Sequence, residues 1–143
     1  MSDIFDKLKS DHKKQREMLE TIKSSALSDD KKTKLYSEIK NELEEHAKYE
    51  ERVFYKPLIS DDKTQDQARH SISEHKDIDD CIEKIDSLDI NDSTWSYHIA
   101  KLSDLVEHHL KEEEEDIFPL AQKVFTENQK EKLGDIFTEK RSN

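Results

Sequence analysis

His46-Ala47-Lys48-Tyr49-Glu50-Glu51 places a carboxylate four residues after a histidine, and His108-His109-Leu110-Lys111-Glu112-Glu113-Glu114 does the same later in the chain. On an α-helix this spacing sets both side chains on one face, one turn apart. Each stretch then runs into aromatics and a proline: Phe54, Tyr55 and Pro57 after the first, Phe118 and Pro119 after the second. Two helices therefore carry the same chelating face and end in similar ways.

The residues around these stretches read as helix throughout. Phe5, Leu8, His12, Gln15, Leu19, Ile22 and Ala26 recur at three- and four-residue steps, which predicts a helix over about 3–26. The second helix, about 30–55, carries Leu35, Ile39, Leu43 with Glu42 beside it, His46, Glu50 and Val53, and Pro57 helps to end it. Ser60-Asp61-Asp62 is expected to cap a third helix over about 62–88, with Ala68, Ile72, His75, Ile78, Ile82 and Ile85 on its stripe. Asp92 or Ser93 caps a fourth over about 93–125, with Trp95, Ile99, Leu102, Leu105 or Val106, His109, Glu113, Ile117 and Leu120, and Pro119 kinks it or ends its straight part. A short last helix, about 127–139, offers Leu133, Ile136 and Phe137 and is expected to cross one end of the bundle. The fold class is all-α: an up-down-up-down antiparallel four-helix bundle with a short C-terminal helix, in one domain over residues 1–143.

Composition narrows the function. With 31% apolar and 41% charged residues, the helices are long and solvated around a thin core. One glycine is too few for a phosphate-cradling loop or a dinucleotide turn. A net charge of −11 argues against nucleic acid and favours cations. No signal peptide or membrane-spanning run is visible, and the lone Cys81, between Ile78 and Ile82, reads as a small core residue; a cytoplasmic location fits both.

Taken singly, each histidine and each His-x-x-x-Glu pair has an ordinary explanation as a core residue or a solvated contact. Their depths do not. Residues equidistant from a turn lie at one level in antiparallel neighbours. Reflection through turns centred near residues 28.5, 60 and 91 carries His12 to about 45, His46 to about 74 and His75 to about 107. Each landing point is within about one turn, 5.4 Å, of the next stripe histidine. Four imidazoles and two carboxylates at one level of a thin core are costly without a cation. Two metal ions use them: His12, His46, His75 and His109 as terminal ligands, Glu50 and Glu113 as bridges. Imidazole with carboxylate and no thiolate suits iron, manganese or zinc. His70 is off the face of His75, and His98 lies about 16 Å from His109 along its helix.

At these residues the chain resembles the hemerythrin family, specifically its bacterial-type HHE cation-binding domains, over roughly residues 1–125. The resemblance implies two non-haem iron ions bridged by the two carboxylates and an oxo or hydroxo group. It also implies dioxygen, nitric oxide or peroxide as the small ligand. Two departures stand out. Oxygen carriers of the family have two histidines one turn apart on the third helix, whereas Ser71 and Asp79 flank His75 here at four residues on either side. Water or Asp79 are the candidates for that position, and reversible carriage is in doubt. Carriers also space the fourth-helix pair by five, which His108 with Glu113 would satisfy, while His109 with Glu113 repeats the second helix. Repetition and the proline offset assign His109.

The sequence therefore predicts a di-iron protein that binds or senses dioxygen, nitric oxide or peroxide, with Ile78, Leu105 and Val106 keeping the ligand pocket dry. Iron buffering or sensing through metal-coupled folding is the alternative. An enzyme reducing peroxide or nitric oxide would need an external electron donor, because no flavin or second redox motif is visible. The positions three before His46, His75, His108 and His109 are Leu43, Ile72, Leu105 and Val106, which argues against the Glu-x-x-His centre of ferritin-like proteins. A monomer or weak homodimer is expected, and the acidic run 112–116 is a candidate face for a protein partner.

Overall fold

Asp3 starts the chain's first helix with a reciprocal cap: its carboxylate accepts from the Asp6 N–H and the Asp6 side chain accepts from the Asp3 N–H. In this computed structural model, which describes residues 2–142, the helices are α1 (Ile4–Ile22), α2 (Asp29–Tyr49), α3 (Lys56–Ile59), α4 (Gln65–Asp86), α5 (Trp95–Glu112), α6 (Phe118–Val124) and α7 (Glu127–Ser142). Two π-helical segments, Glu50–Tyr55 and Glu113–Ile117, join α2 to α3 and α5 to α6. The described residues contain no strand, and no helix among them is long and apolar enough to cross a membrane. Four long helical rods form the bundle, with α7 as an added C-terminal helix.

Several boundaries differ from the sequence expectation. α1 stops at Ile22 rather than near Ala26, because Ser24 turns the chain with its hydroxyl accepting from the Ala26 N–H, and Ala26 is exposed. The third rod begins at Gln65 rather than 62. Asp61 spends its carboxylate on the Lys63 N–H at 2.8 Å, and Thr64 donates its hydroxyl to the Leu58 carbonyl at 2.7 Å, so a turn precedes the helix. Asp92, not Ser93, organises the start of α5, accepting from both the N–H and the hydroxyl of Thr94.

The prolines do not end their rods. Pro57 lies in the first turn of α3, and Pro119 in the first turn of α6. A proline cannot donate to the residue four before it, which ordinarily breaks a helix. Here the residue before each proline already bonds five back: Lys56 N–H to the Glu51 carbonyl, and Phe118 N–H to the Glu113 carbonyl. The wider π turn absorbs the lost donor, and each rod continues past its proline.

α7 does not cross an end of the bundle. It lies along α1 in the same chain direction, since Gly134 meets Asp3 and Ile4 while Arg141 meets Asp11. The contact at Gly134 is a backbone approach: a Cβ there would stand 2.8 Å from the Asp3 carbonyl carbon and 2.9 Å from the Ile4 nitrogen. Only glycine leaves that space free.

The apolar core is in two parts. One cluster holds Phe5, Phe54, Phe118, Phe125 and Phe137 with their aliphatic neighbours. Phe5, Phe54 and Phe118 meet edge to face with centroids 5.3–5.7 Å apart. The other cluster holds Leu19, Ile39, Ile78, Ile82, Trp95, Leu102 and Val106, with Cys81 buried among them. The layer between the clusters is polar.

Gly134→Ala should destabilise the fold by about 1–3 kcal/mol through overpacking, read by chemical denaturation. An unchanged midpoint would show that α7 does not seat against the start of α1.

Candidate metal centre

Six buried side chains from four rods fill the polar layer. His12, His46, Glu50 and Glu113 offer ligand atoms that all lie within 4.8 Å of one another, and Glu50, His75, His109 and Glu113 form a second such group. The two quartets share Glu50 and Glu113. The six residues singled out in the sequence are therefore brought together, and His109 rather than His108 enters the layer: His108 is 70% exposed. Asp79 belongs to neither quartet, but it lines the small cavity beside His46, His75 and His109.

Each imidazole is held from behind by a carboxylate. His12 Nδ1 donates to Glu114 at 2.7 Å, His46 Nδ1 to Asp11 at 2.8 Å, His75 Nδ1 to Glu51 at 2.6 Å and His109 Nδ1 to Glu74 at 2.9 Å. An ionised carboxylate only accepts, so a proton sits on each Nδ1 and each Nε2 faces inward, where it offers a lone pair to a cation once the ring is neutral. The pattern runs round the bundle. Asp11 on α1 holds the histidine of α2. Glu51, just past α2, holds that of α4, Glu74 on α4 holds that of α5, and Glu114 returns to α1.

Two of these outer carboxylates are themselves neutralised by arginine. Arg16 grips both oxygens of Glu114 at 3.1 Å, and Arg141 of α7 stands 3.3 Å from Asp11. Arg141 also donates to the buried Glu42, which accepts from Gln15 as well. The hydrogen bond from His12, with help from Arg16, depresses the Glu114 carboxyl to about 2.

At the centre the polar atoms face one another without hydrogen bonds. His12 Nε2, His46 Nε2, both oxygens of Glu50 and Glu113 Oε1 are buried and unpartnered. They are nevertheless close: His12 Nε2 stands 2.9 Å from Glu113 Oε1, and His75 Nε2 is 3.1 Å from Glu50 Oε1. His75 Nε2 and His109 Nε2 are 3.1 Å apart with both Nδ1 atoms already engaged by carboxylates, so a proton or a cation must lie between the two nitrogens to keep lone pair from facing lone pair. Buried groups left like this are rare and costly. Converging imidazole and carboxylate donors fit a pair of cations in the way the two quartets suggest.

Tyr55 and Ser71 belong to this layer and were not read as such in the sequence. The buried Tyr55 hydroxyl donates to Glu113 Oε2 and lies 2.6 Å from Ser71 Oγ. Ser71 is one turn before His75 and so is one of the two positions from which a fifth histidine would project, Asp79 being the other. Burial and the charge of Glu113 hold the Tyr55 phenol well above its ordinary range.

A small cavity of about 20 Å³ opens against His46, His75 and His109, with Leu43, Ile78, Val106 and Leu110 among its walls. That is room for one water-sized molecule. Ile78 and Val106 line it as expected; Leu105 is turned outward and lines a different groove.

Residues 3–121 match the Hemerythrin HHE cation binding domain, and the chain belongs to the hemerythrin family. Its fold is similar to the crystal structure of a hemerythrin HHE cation binding domain-containing protein from Mycobacterium kansasii. The TM-score is 0.86 at 20% identity, covering 96% of this chain and 84% of that one. No curated protein shows a significant sequence match to the chain.

In the metal-free chain protons take the place of cations. Burial lowers the His46 and His75 imidazoles, but Glu50 with Asp11 and Glu50 with Glu51 outweigh it and raise each from 6.5 to about 10. Burial raises Glu50, and His46 and His75 overcome it, holding the carboxyl well below 4.5. The raised imidazoles contribute stability in full below pH 6.5 and lose it as pH rises through about 10; Glu50 contributes above pH 4.5 and loses it at lower pH. Thermal midpoints with chelator present should therefore fall between pH 6.5 and 10. A flat or rising midpoint across that window would contradict the pairing of these groups.

Proposed function

We propose that the chain is a non-haem di-iron protein that binds dioxygen, nitric oxide or peroxide at a centre bridged by Glu50 and Glu113, and that it senses or handles this ligand rather than carrying it. The observation that carries the reading is the pair of buried quartets sharing two carboxylates, with a water-sized cavity beside three of the four histidines. His12 and His46 would hold one ion, His75 and His109 the other. Manganese or zinc would be accepted by the same donors. When bound, iron of this kind supplies a redox-active site for a small ligand.

The chain's own residues shape that chemistry. Two imidazoles and two shared carboxylates would offer each ion four protein donors, which would leave a five- or six-coordinate iron room for a small ligand. Ser71 and Asp79 occupy the two positions one turn from His75, so that helix supplies no fifth imidazole, which favours sensing or handling over carriage. Tyr55 fixes Glu113 Oε2 by its hydrogen bond and places a buried proton donor beside the centre. Leu43, Ile78, Val106 and Leu110, with the polar Gln15 and Asp79, limit the cavity to one small molecule.

Metal analysis of protein from iron-supplemented cells should find about two irons per chain, with near-ultraviolet absorption that responds to reduction and air. Glu50→Ala and Glu113→Ala should each lose both ions, since each removes a bridge. Full iron in both variants would refute the centre. Glu51→Ala, which only frees the His75 ring, should weaken iron binding by roughly 10–100-fold.

A second reading, metal-coupled folding as the signal for iron status, is favoured by the division of the core. The polar layer separates the two apolar clusters, so the ions would join halves that otherwise meet through unpartnered polar atoms. Loading with iron should raise the melting temperature, by an amount set by affinity and free metal. Equal melting of loaded and metal-free protein would exclude this role.

A further inference from the structure

The two histidines left outside the centre, His70 and His108, meet on the surface between α4 and α5. His70 lies four residues before Glu74, and His108 four before Glu112, so each helix presents an imidazole and a carboxylate one turn apart. The pairs face each other crosswise. His70 Nε2 is 2.8 Å from Glu112 Oε1 and 3.5 Å from Glu74 Oε2; His108 Nε2 is 3.1 Å from Glu112 Oε2 and 3.4 Å from Glu74 Oε2. We propose that His70, Glu74, His108 and Glu112 form a second, surface metal site for one divalent transition ion of the zinc or ferrous type, joined to the buried centre through Glu74.

Four observations carry this. The donor set is two imidazoles and two carboxylates, all presented by rigid helices, and the ligand atoms of His70, Glu74 and Glu112 lie within 4.8 Å of one another. The imidazole–carboxylate separations of 2.8–3.5 Å are close to the edge of a tetrahedron around such an ion. That edge is about 3.3–3.6 Å for bonds of about 2.0–2.2 Å.

Among the described residues, no lysine or arginine pairs with Glu74 or Glu112; only histidines do. The contrast with the rest of the ring is sharp. Glu114 has Arg16 behind it, and the Asp11–Glu42 cluster has Arg141. At Glu74 the corresponding place is taken by two imidazoles with Nε2 turned to the carboxylates, which is where a metal would supply the missing positive charge.

Finally, an open groove of about 630 Å³ begins at His70 and Glu112 and carries Asp66, Glu115 and Asp116 on its walls. It gathers cations at the mouth of the site.

Glu74 uses its two oxygens separately. Oε1 accepts from His109 Nδ1 at 2.9 Å, while Oε2 faces His70 and His108. An ion on Oε2 draws charge from the carboxylate and weakens its hold on the His109 proton, so occupancy of the surface site adjusts the donor strength of a buried imidazole.

Zinc titration by calorimetry tests this on protein already loaded with iron, with iron content measured before and after. The wild-type chain should take up one further zinc while keeping its iron. His70→Ala/His108→Ala should lose that ion, or bind it at least roughly tenfold more weakly, with iron content unchanged. Equal zinc uptake in the double variant, or uptake only by displacement of iron, overturns the proposal. The same titration on Glu50→Ala/Glu113→Ala separates the two sites. One zinc that disappears when His70 and His108 are also replaced supports the surface site even if the buried centre fails, and none refutes it.

Discussion

Four imidazole–carboxylate hydrogen bonds, passed from each rod to the next, hold the polar layer of this protein together. Their direction is consistent: the carboxylate beside an inner ligand on one rod fixes the histidine of its neighbour. Adjacent residues on a helix point about 100° apart, so a residue next to an inward ligand is aimed at the neighbouring rod. The layer therefore depends on all four rods being in register at once. Each ring is fixed in orientation, with Nε2 inward, before any cation arrives, which lowers the reorganisation that binding requires.

The inner residues were legible because period and depth are both written in a helical sequence. Stripe histidines at matched distances from three turns place His12, His46, His75 and His109 at one level, and the repeated His-x-x-x-Glu adds Glu50 and Glu113. The outer carboxylates were less legible, since Asp11, Glu51, Glu74 and Glu114 sit among many solvated acids. Their signal was adjacency: each immediately precedes or follows an inner ligand. The acidic run 112–116 shows how position divides like residues. Glu113 enters the centre, Glu114 holds His12, Glu112 joins the surface histidines, and Glu115 and Asp116 line the groove. Tyr55 and Ser71 could not be paired from sequence, because their contact joins a rod's end to the next rod's first turns and depends on the turn between them.

The course of α7 was also beyond periodicity. Its apolar residues are few, and what seats it is a glycine against backbone and an arginine reaching Asp11 and Glu42. The helix that completes the outer wall thus also supplies one of the two arginines behind the ring. Arg16 and Arg141 leave two of the four outer carboxylates with arginine partners, while among the described residues Glu51 and Glu74 pair with histidines alone. The two halves of the centre are alike in inner donors and unlike in the charge around them.

Both glutamates shared by the two quartets begin a π segment, and the rods change phase there. An added residue in one turn is an offset in angle as well as length. Residues ahead of the segment can be aimed at the polar layer and those after it at the aromatic cluster, without either set constraining the other. Phe118, one residue beyond the second segment, lies flat against the His12 ring at 13° between planes, a placement that an unbroken α-helix would rotate away. The wide turns thus act as angular couplings, letting one continuous rod serve two surfaces whose directions a single helical period could not both satisfy.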